Sequence, residues 1–192
     1  MSPGRSVLAE AVGLLRRHPG PPYLAALVAT LVNTVPDIGR QRLVWDDPSG
    51  WHALVVDVVG VLTAVVAQLW VTGAVASLPV TGRTSWAGAL RRGTALARTA
   101  VRTAPGTVLA GIAAGGAVSA VLTLPASIGA LGLDRVLGPL DSPAVGAFTV
   151  AAVSDVVAST VTLPFLALVL VLVAARRSPG VRPGPTGGMG SA

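Results

Sequence analysis

Four apolar stretches, at about 21–39, 53–79, 107–133 and 144–175, alternate along this 192-residue chain with short segments that carry most of its arginines. A helix rises 1.5 Å per residue and a bilayer hydrocarbon core is about 30 Å thick, so each stretch is about long enough to cross one. A soluble domain has no place for them. Only 11% of the residues are charged and 52% are hydrophobic, whereas ordinary globular proteins carry about 25% charged residues. The expected architecture is all-α: a polytopic membrane helix bundle of four transmembrane helices, forming one domain over residues 1–176. The Pro- and Gly-rich remainder, 177–192, has almost nothing apolar to bury and reads as a disordered cytoplasmic tail.

The positions of the arginines orient this bundle. The net charge of +6 comes from 14 Arg and no Lys. Arg5, Arg16 and Arg17 precede the first stretch, Arg83, Arg91, Arg92, Arg98 and Arg102 separate the second from the third, and Arg176, Arg177 and Arg182 follow the fourth. Only Arg40, Arg42 and Arg135 fall in the other two connections. The positive-inside rule therefore puts both termini on the cytoplasmic side of the cell membrane. The first stretch reads as a retained span rather than a cleaved signal peptide, because it outruns the 7 to 15 apolar residues of a signal core. The basic balance does not indicate nucleic acid, since two Phe and one Tyr supply no stacking platform. The arginines beside spans instead suit anionic lipid headgroups or a protein partner.

Two of the basic segments resemble each other. In the segment at about 6–18, Val7, Leu8, Ala11, Val12, Leu14 and Leu15 share one side of a helical wheel, with Glu10 and Arg17 opposite. In the segment at about 85–103, Trp86, Leu90, Ala97 and Val101 share a face, and Arg91, Arg98 and Arg102 cluster on another. Both end in Pro-Gly, at 19–20 and 105–106, directly before a span. They read as interfacial amphipathic helices, each followed by a helical hairpin, in a two-fold internal repeat. The turn LLRRHPG and the segment Thr162 to Phe165, followed by an apolar run and the pair Arg176-Arg177, resemble the bacterial multi-pass membrane-domain family of glycerophosphoryl diester phosphodiesterases. The chain lacks the Tyr-x-Asp-x-Arg ending of that family, since Val171 to Ala175 supplies neither Tyr nor Asp. The resemblance implies a noncatalytic membrane module and no functional residues.

Few residues here suit catalysis. His18 and His52 stand alone near membrane boundaries, Cys is absent, and neither His has a second ligand at metal spacing. No cofactor is expected. In the third stretch Gly111 and Gly115, with Gly116 and Ala120, form small-xxx-small pairs that let helices approach closely, inside the bundle or in a homodimer. Polar residues within spans are the remaining candidates, because they are costly in lipid. Thr30, Asn33, Thr34 and Asp37 form one stripe, Asp57, Ala64, Gln68 and Thr72 a second, and Asp155, Ser159 and Thr162 a third. Asp155 lies about 16 Å along the helix from Ala144 but about 30 Å back from Arg176. The arginine anchor places it at the outer rim, as a solvated carboxylate whose change to Asn leaves stability nearly unchanged. The expected function is that of a noncatalytic scaffold or accessory subunit, with a small transporter or permease component as the alternative.

The absence of cysteine makes the topology directly testable. With single Cys substitutions at Ser49, Ser85, Ser142 and Ser178, an impermeant maleimide added to intact cells should label positions 49 and 142 and spare 85 and 178. Labelling at 85 would refute the four-span arrangement.

Overall fold

The computed structural model describes residues 3–43, 49–133 and 144–176, which are almost entirely helical and include no strand. The helices are α1 (Pro3–Arg17), α2 (Gly20–Leu43), α3 (Gly50–Ala74), the single turn α4 (Leu78–Thr81), α5 (Ala89–Thr103), α6 (Pro105–Leu131) and α7 (Val145–Ala175). The expected tail, together with Arg135, Arg177, Arg182, Trp45, Ser142 and Ser178, lies outside the described residues.

Proline sets the main breaks. Pro105 occupies the first turn of α6, where a missing N–H costs nothing, and Ala104 before it is extended at φ −144° and ψ 67°. The chain therefore stops α5 and starts α6 with no intervening loop. Pro19 lies in the two-residue break between α1 and α2, and Pro21 and Pro22 stand in the first turn of α2.

Three described helical stretches are long and apolar enough to cross a membrane: Leu54–Thr81, Pro105–Leu131 and Val145–Ala175. The first expected span is also a continuous helix, α2, but its second half carries Asn33, Asp37, Arg40, Gln41 and Arg42. That polar content dilutes its apolar character and distinguishes it from the other three.

The packed core sits at one end of the bundle. Its buried residues are Val7, Ala11, Leu14 and Leu15 of α1, Ala25, Ala26 and Ala29 of α2, Val71 and Ala74 of α3, Ala89 and Ala100 of α5, and Val108 of α6. All of these lie near the termini of α2, α3 and α6 that adjoin α1 and α5. Around them α7 contributes an unbroken buried run, Ala167 to Ala174. α7 packs against α1, α2, α3, α5 and α6, and a helix apolar on every side is stable only where it is enclosed on every side or surrounded by lipid. The opposite halves of α2, α3 and α6 leave Val32, Val35, Val61, Leu62 and Val121 more than half exposed, as lipid-facing surfaces would be.

The two amphipathic helices complete this enclosure. α1 buries most of its expected face against α7, leaving only Val12 exposed among its apolar residues beyond position 9. α5 differs from expectation. It starts at Ala89, after Gly88 in the left-handed conformation (φ 65°), so Trp86 precedes the helix and meets Trp70 of α3 edge to face at 5.6 Å. Its docked face is Ala89, Gly93 and Ala100, whereas Leu90 and Val101 remain exposed. The reason is the closeness of the neighbouring backbone. A Cβ at Gly73 would lie 1.7 Å from the carbonyl oxygen of Ala89, and one at Gly93 would lie 1.7 Å from that of Leu69. Only glycine at both positions lets α3 and α5 touch backbone to backbone.

By contrast, the small residues of α6 make no comparable crossing. A Cβ at Gly111 would meet Val169 at 3.1 Å, so that glycine packs on α7, while Gly115 and Gly116 have open space beside them and Ala120 is half-buried. Gly73→Ala or Gly93→Ala should therefore lower the midpoint of denaturation in mild detergent, at an overpacking cost of about 1–3 kcal/mol or more. Gly116→Ala should leave it unchanged. Equal behaviour of the three variants would contradict the crossing.

Candidate functional site

The polar stripes expected on three separate helices meet in part. Thr30, Asn33 and Thr34 of α2, Ala64 of α3, and Asp155 and Ser159 of α7 together line a cavity of about 50 Å³, closed by Ala67 and Leu163. That is room for a few water-sized groups. Thr34 Oγ1 donates to the carbonyl of Thr30 at 2.8 Å. Thr30 itself is 5% exposed, and its Oγ1 has no hydrogen-bond partner. Asp155 borders the cavity from an exposed position. The side chains of Asp37 and Asp57 lie outside those described.

This neighbourhood fixes the height of Asp155 relative to α2. It sits beside residues 30–34, ten to fourteen residues and about 15–21 Å from the start of α2, level with the middle of that helix rather than its far end. The last turns of α7 are buried within the bundle. They are sheathed by α1 and α5, and Arg176 pairs with Glu10 of α1 at 2.9 Å.

Gln68 and Thr72 lie farther toward the packed end and are structural. Gln68 Nε2 donates to the carbonyl of Leu163 at 3.3 Å and to Thr72 Oγ1 at 3.4 Å, and Thr72 Oγ1 donates to the carbonyl of Gln68 at 2.8 Å. Leu163 precedes Pro164, which lies inside α7 and supplies no N–H to the turn before it. The rung Pro164 leaves open is at the carbonyl of Thr160, so the bond from Gln68 to Leu163 is an added tertiary link between α3 and α7 rather than a replacement for it. Thr162 Oγ1 donates within α7, to the carbonyl of Ala158 at 2.9 Å.

A second cluster is cationic. Arg16 and Arg17 on α1, and Arg91, Arg98 and Arg102 on α5, are all exposed. They decorate the two helices that sheathe the packed end. Arg92, one residue beyond Arg91 and off the face shared by Arg91, Arg98 and Arg102, behaves differently. Its guanidinium donates to the carbonyl of Gly73 through Nε at 3.3 Å and Nη2 at 3.2 Å, and also to the carbonyls of Ala87 and Ser85. One hundred degrees of helical phase turn it from the solvent face onto the C-terminus of α3, where carbonyls lack intrahelical partners and a cation complements the dipole.

An apolar cleft of about 490 Å³ separates α2 from α3, lined by Val28, Val32, Pro36, Val66, Ala67 and Trp70, with Asn33 and Thr63 as its polar members. Among the described residues no group of three or more His, Cys, Asp or Glu is placed to hold a metal ion. No protein-family model matches the chain, and neither a curated protein nor a solved structure matches it.

Charge-assisted hydrogen bonds are worth about 1.5–3 kcal/mol. Arg92→Gln should therefore destabilise the detergent-solubilised chain measurably, while Arg91→Gln next to it should not. Indistinguishable denaturation midpoints for the two would refute the capping role.

Proposed function

We propose that the chain is a noncatalytic integral membrane protein of the cytoplasmic membrane, acting as a scaffold or accessory subunit whose α1 and α5 helices engage anionic headgroups or a partner protein. The observation that carries this reading is the collar: two amphipathic helices docked around the buried end of α7, each with exposed arginines on its outer side. On α5 the exposed Leu90 and Val101 lie one position from Arg91 and Arg102. An interfacial helix needs this arrangement, with apolar side chains toward the acyl region and cations toward phosphates. The resemblance of LLRRHPG and Thr162 to Phe165 to phosphodiesterase membrane modules implies the same noncatalytic role.

The four-span topology with cytoplasmic termini belongs to this proposal. α2, at 24 residues, is about 36 Å long, and counting it as a span keeps the arginine-rich segments on one side. The two-fold repeat belongs to it as well. α5 packs on α3 and α1 packs on α7, so each amphipathic helix docks on the second long helix of the other half.

A second reading, a small permease component, is favoured by one observation: the cavity that gathers Thr30, Asn33, Thr34, Asp155 and Ser159. Affinity purification from native membranes separates the two. The scaffold reading predicts a stoichiometric partner or anionic lipid that is lost when Arg91, Arg98 and Arg102 become Gln and retained in Asp155→Asn. The permease reading predicts solute flux by proteoliposomes of the purified chain, abolished by Asp155→Asn. Flux of that kind, with no effect of the arginine changes, would overturn the scaffold proposal.

A further inference from the structure

The cleft between α2 and α3 is mostly apolar, with Asn33 and Thr63 as its polar members, and lies open between the two helices. Its lining runs from Val28 to Pro36 on α2, eight residues or about 12 Å. Extended acyl chains suit such a lining, whereas a second copy of a chain with net charge +6 would not complement the arginines at its end.

The end of the cleft nearest the collar has its own chemistry. Trp70 is four residues, about 6 Å, from the end of α3, and Val28 is eight residues, about 12 Å, from the start of α2. At those helix termini the α1–α2 turn meets the segment after α4. A Cβ at Gly82 would lie 3.2 Å from His18 Cε1, so the His18 ring rests on the Gly82 turn. Arg16 and Arg17 immediately precede His18, Arg83 immediately follows Gly82, and all three arginines are exposed. No acidic residue lies in 11–36 or 58–133, so neither segment offsets this charge with an acid of its own.

We propose that this cleft binds one anionic phospholipid, with its acyl chains between α2 and α3 and its phosphate headgroup beside Arg17, His18 and Arg83. The proposal rests on the reading of α2 and α3 as bilayer helices and deepens it by naming a lipid class and a site distinct from the outer face of α5. The apolar walls select hydrocarbon without regard to headgroup. The arginines supply the preference, at about fivefold for each cation held near an anionic surface.

Trp70 in the cleft wall is a built-in reporter. The full chain with Trp45, Trp51 and Trp86 changed to Phe is reconstituted in phosphatidylcholine containing a small fraction of either phosphatidylglycerol or phosphatidylcholine with brominated acyl chains. Brominated phosphatidylglycerol should quench Trp70 at a mole fraction of order tenfold lower than brominated phosphatidylcholine. Arg17→Gln with Arg83→Gln should abolish that preference, and Val66→Phe, which fills the cleft from an exposed wall, should abolish preferential quenching altogether. Equal quenching by the two lipids in the parent chain would overturn the proposal. So would a preference that survives Val66→Phe. Native mass spectrometry of the unsubstituted chain provides a second measurement should the tryptophan changes disturb folding. One retained phosphatidylglycerol per chain supports the site, whereas no retained lipid, equal retention of phosphatidylcholine, or a lipid-free dimer overturns it. Arg91, Arg98 and Arg102 changed together to Gln separate the two claims: the cleft preference should persist in that variant. Its loss there but not in the Arg17 and Arg83 variant would assign selectivity to the α5 surface and sink the cleft site alone.

Discussion

The contact between Gly73 and Gly93 is the constraint on which the packed end of this protein depends. Helices in lipid gain little from hiding apolar side chains from one another, so their association rests on close packing and on hydrogen bonds. α3 and α5 take this to its limit, with each glycine facing the other helix's backbone. That closeness brings the Gly73 carbonyl within reach of Arg92, and it fixes the rotation of α5 about its axis. Once the rotation is fixed, Ala89 and Ala100 are buried, Leu90 and Val101 face outward, and Arg91, Arg98 and Arg102 stand on the surface.

The enclosure of α7 follows from the same arrangement. Its final turns are the most apolar part of the chain and extend into a sheath of α1 and α5 as well as longer helices. The two short helices bury an apolar stripe inward and carry their charge outward, so the sheath satisfies both α7 and the polar boundary around it. Pro164 lies just before this buried run. One residue before that proline, the Leu163 carbonyl accepts a bond from Gln68 of α3, a tertiary link that gives a glutamine in an otherwise apolar stretch a structural role.

Much of the helix layout was legible in the sequence because apolar run length and proline position are one-dimensional signals. The runs at 53–79, 107–133 and 144–175 correspond to helices, and Pro19 and Pro105 mark breaks where they were expected. The inward face of α1 was legible for the same reason, its apolar residues being large and regularly spaced. α5 was not, because its docking face is made of alanine and glycine, which score weakly on a hydropathy pattern, while its larger apolar residues point away from the core. Gly93 did leave a trace: an isolated glycine inside a helix costs about 1 kcal/mol relative to alanine and calls for a packing reason. The polar stripes of α2 and α7 were visible by periodicity, but their meeting in one cavity depends on relative height, which periodicity does not carry. The role of Arg92 left no sequence signal beyond its one-residue offset from Arg91.

The N-terminal amphipathic helix closes over the C-terminal end of α7. Glu10 and Arg176, 166 residues apart, make the ion pair that marks this closure. The chain contains no cysteine, so Glu10→Cys with Arg176→Cys in native membranes gives a single defined pair for a short bis-maleimide. Efficient cross-linking within one chain is expected, seen as a monomer of altered mobility that neither single variant yields. Absence of that product, or cross-linking only between chains, would contradict the closure.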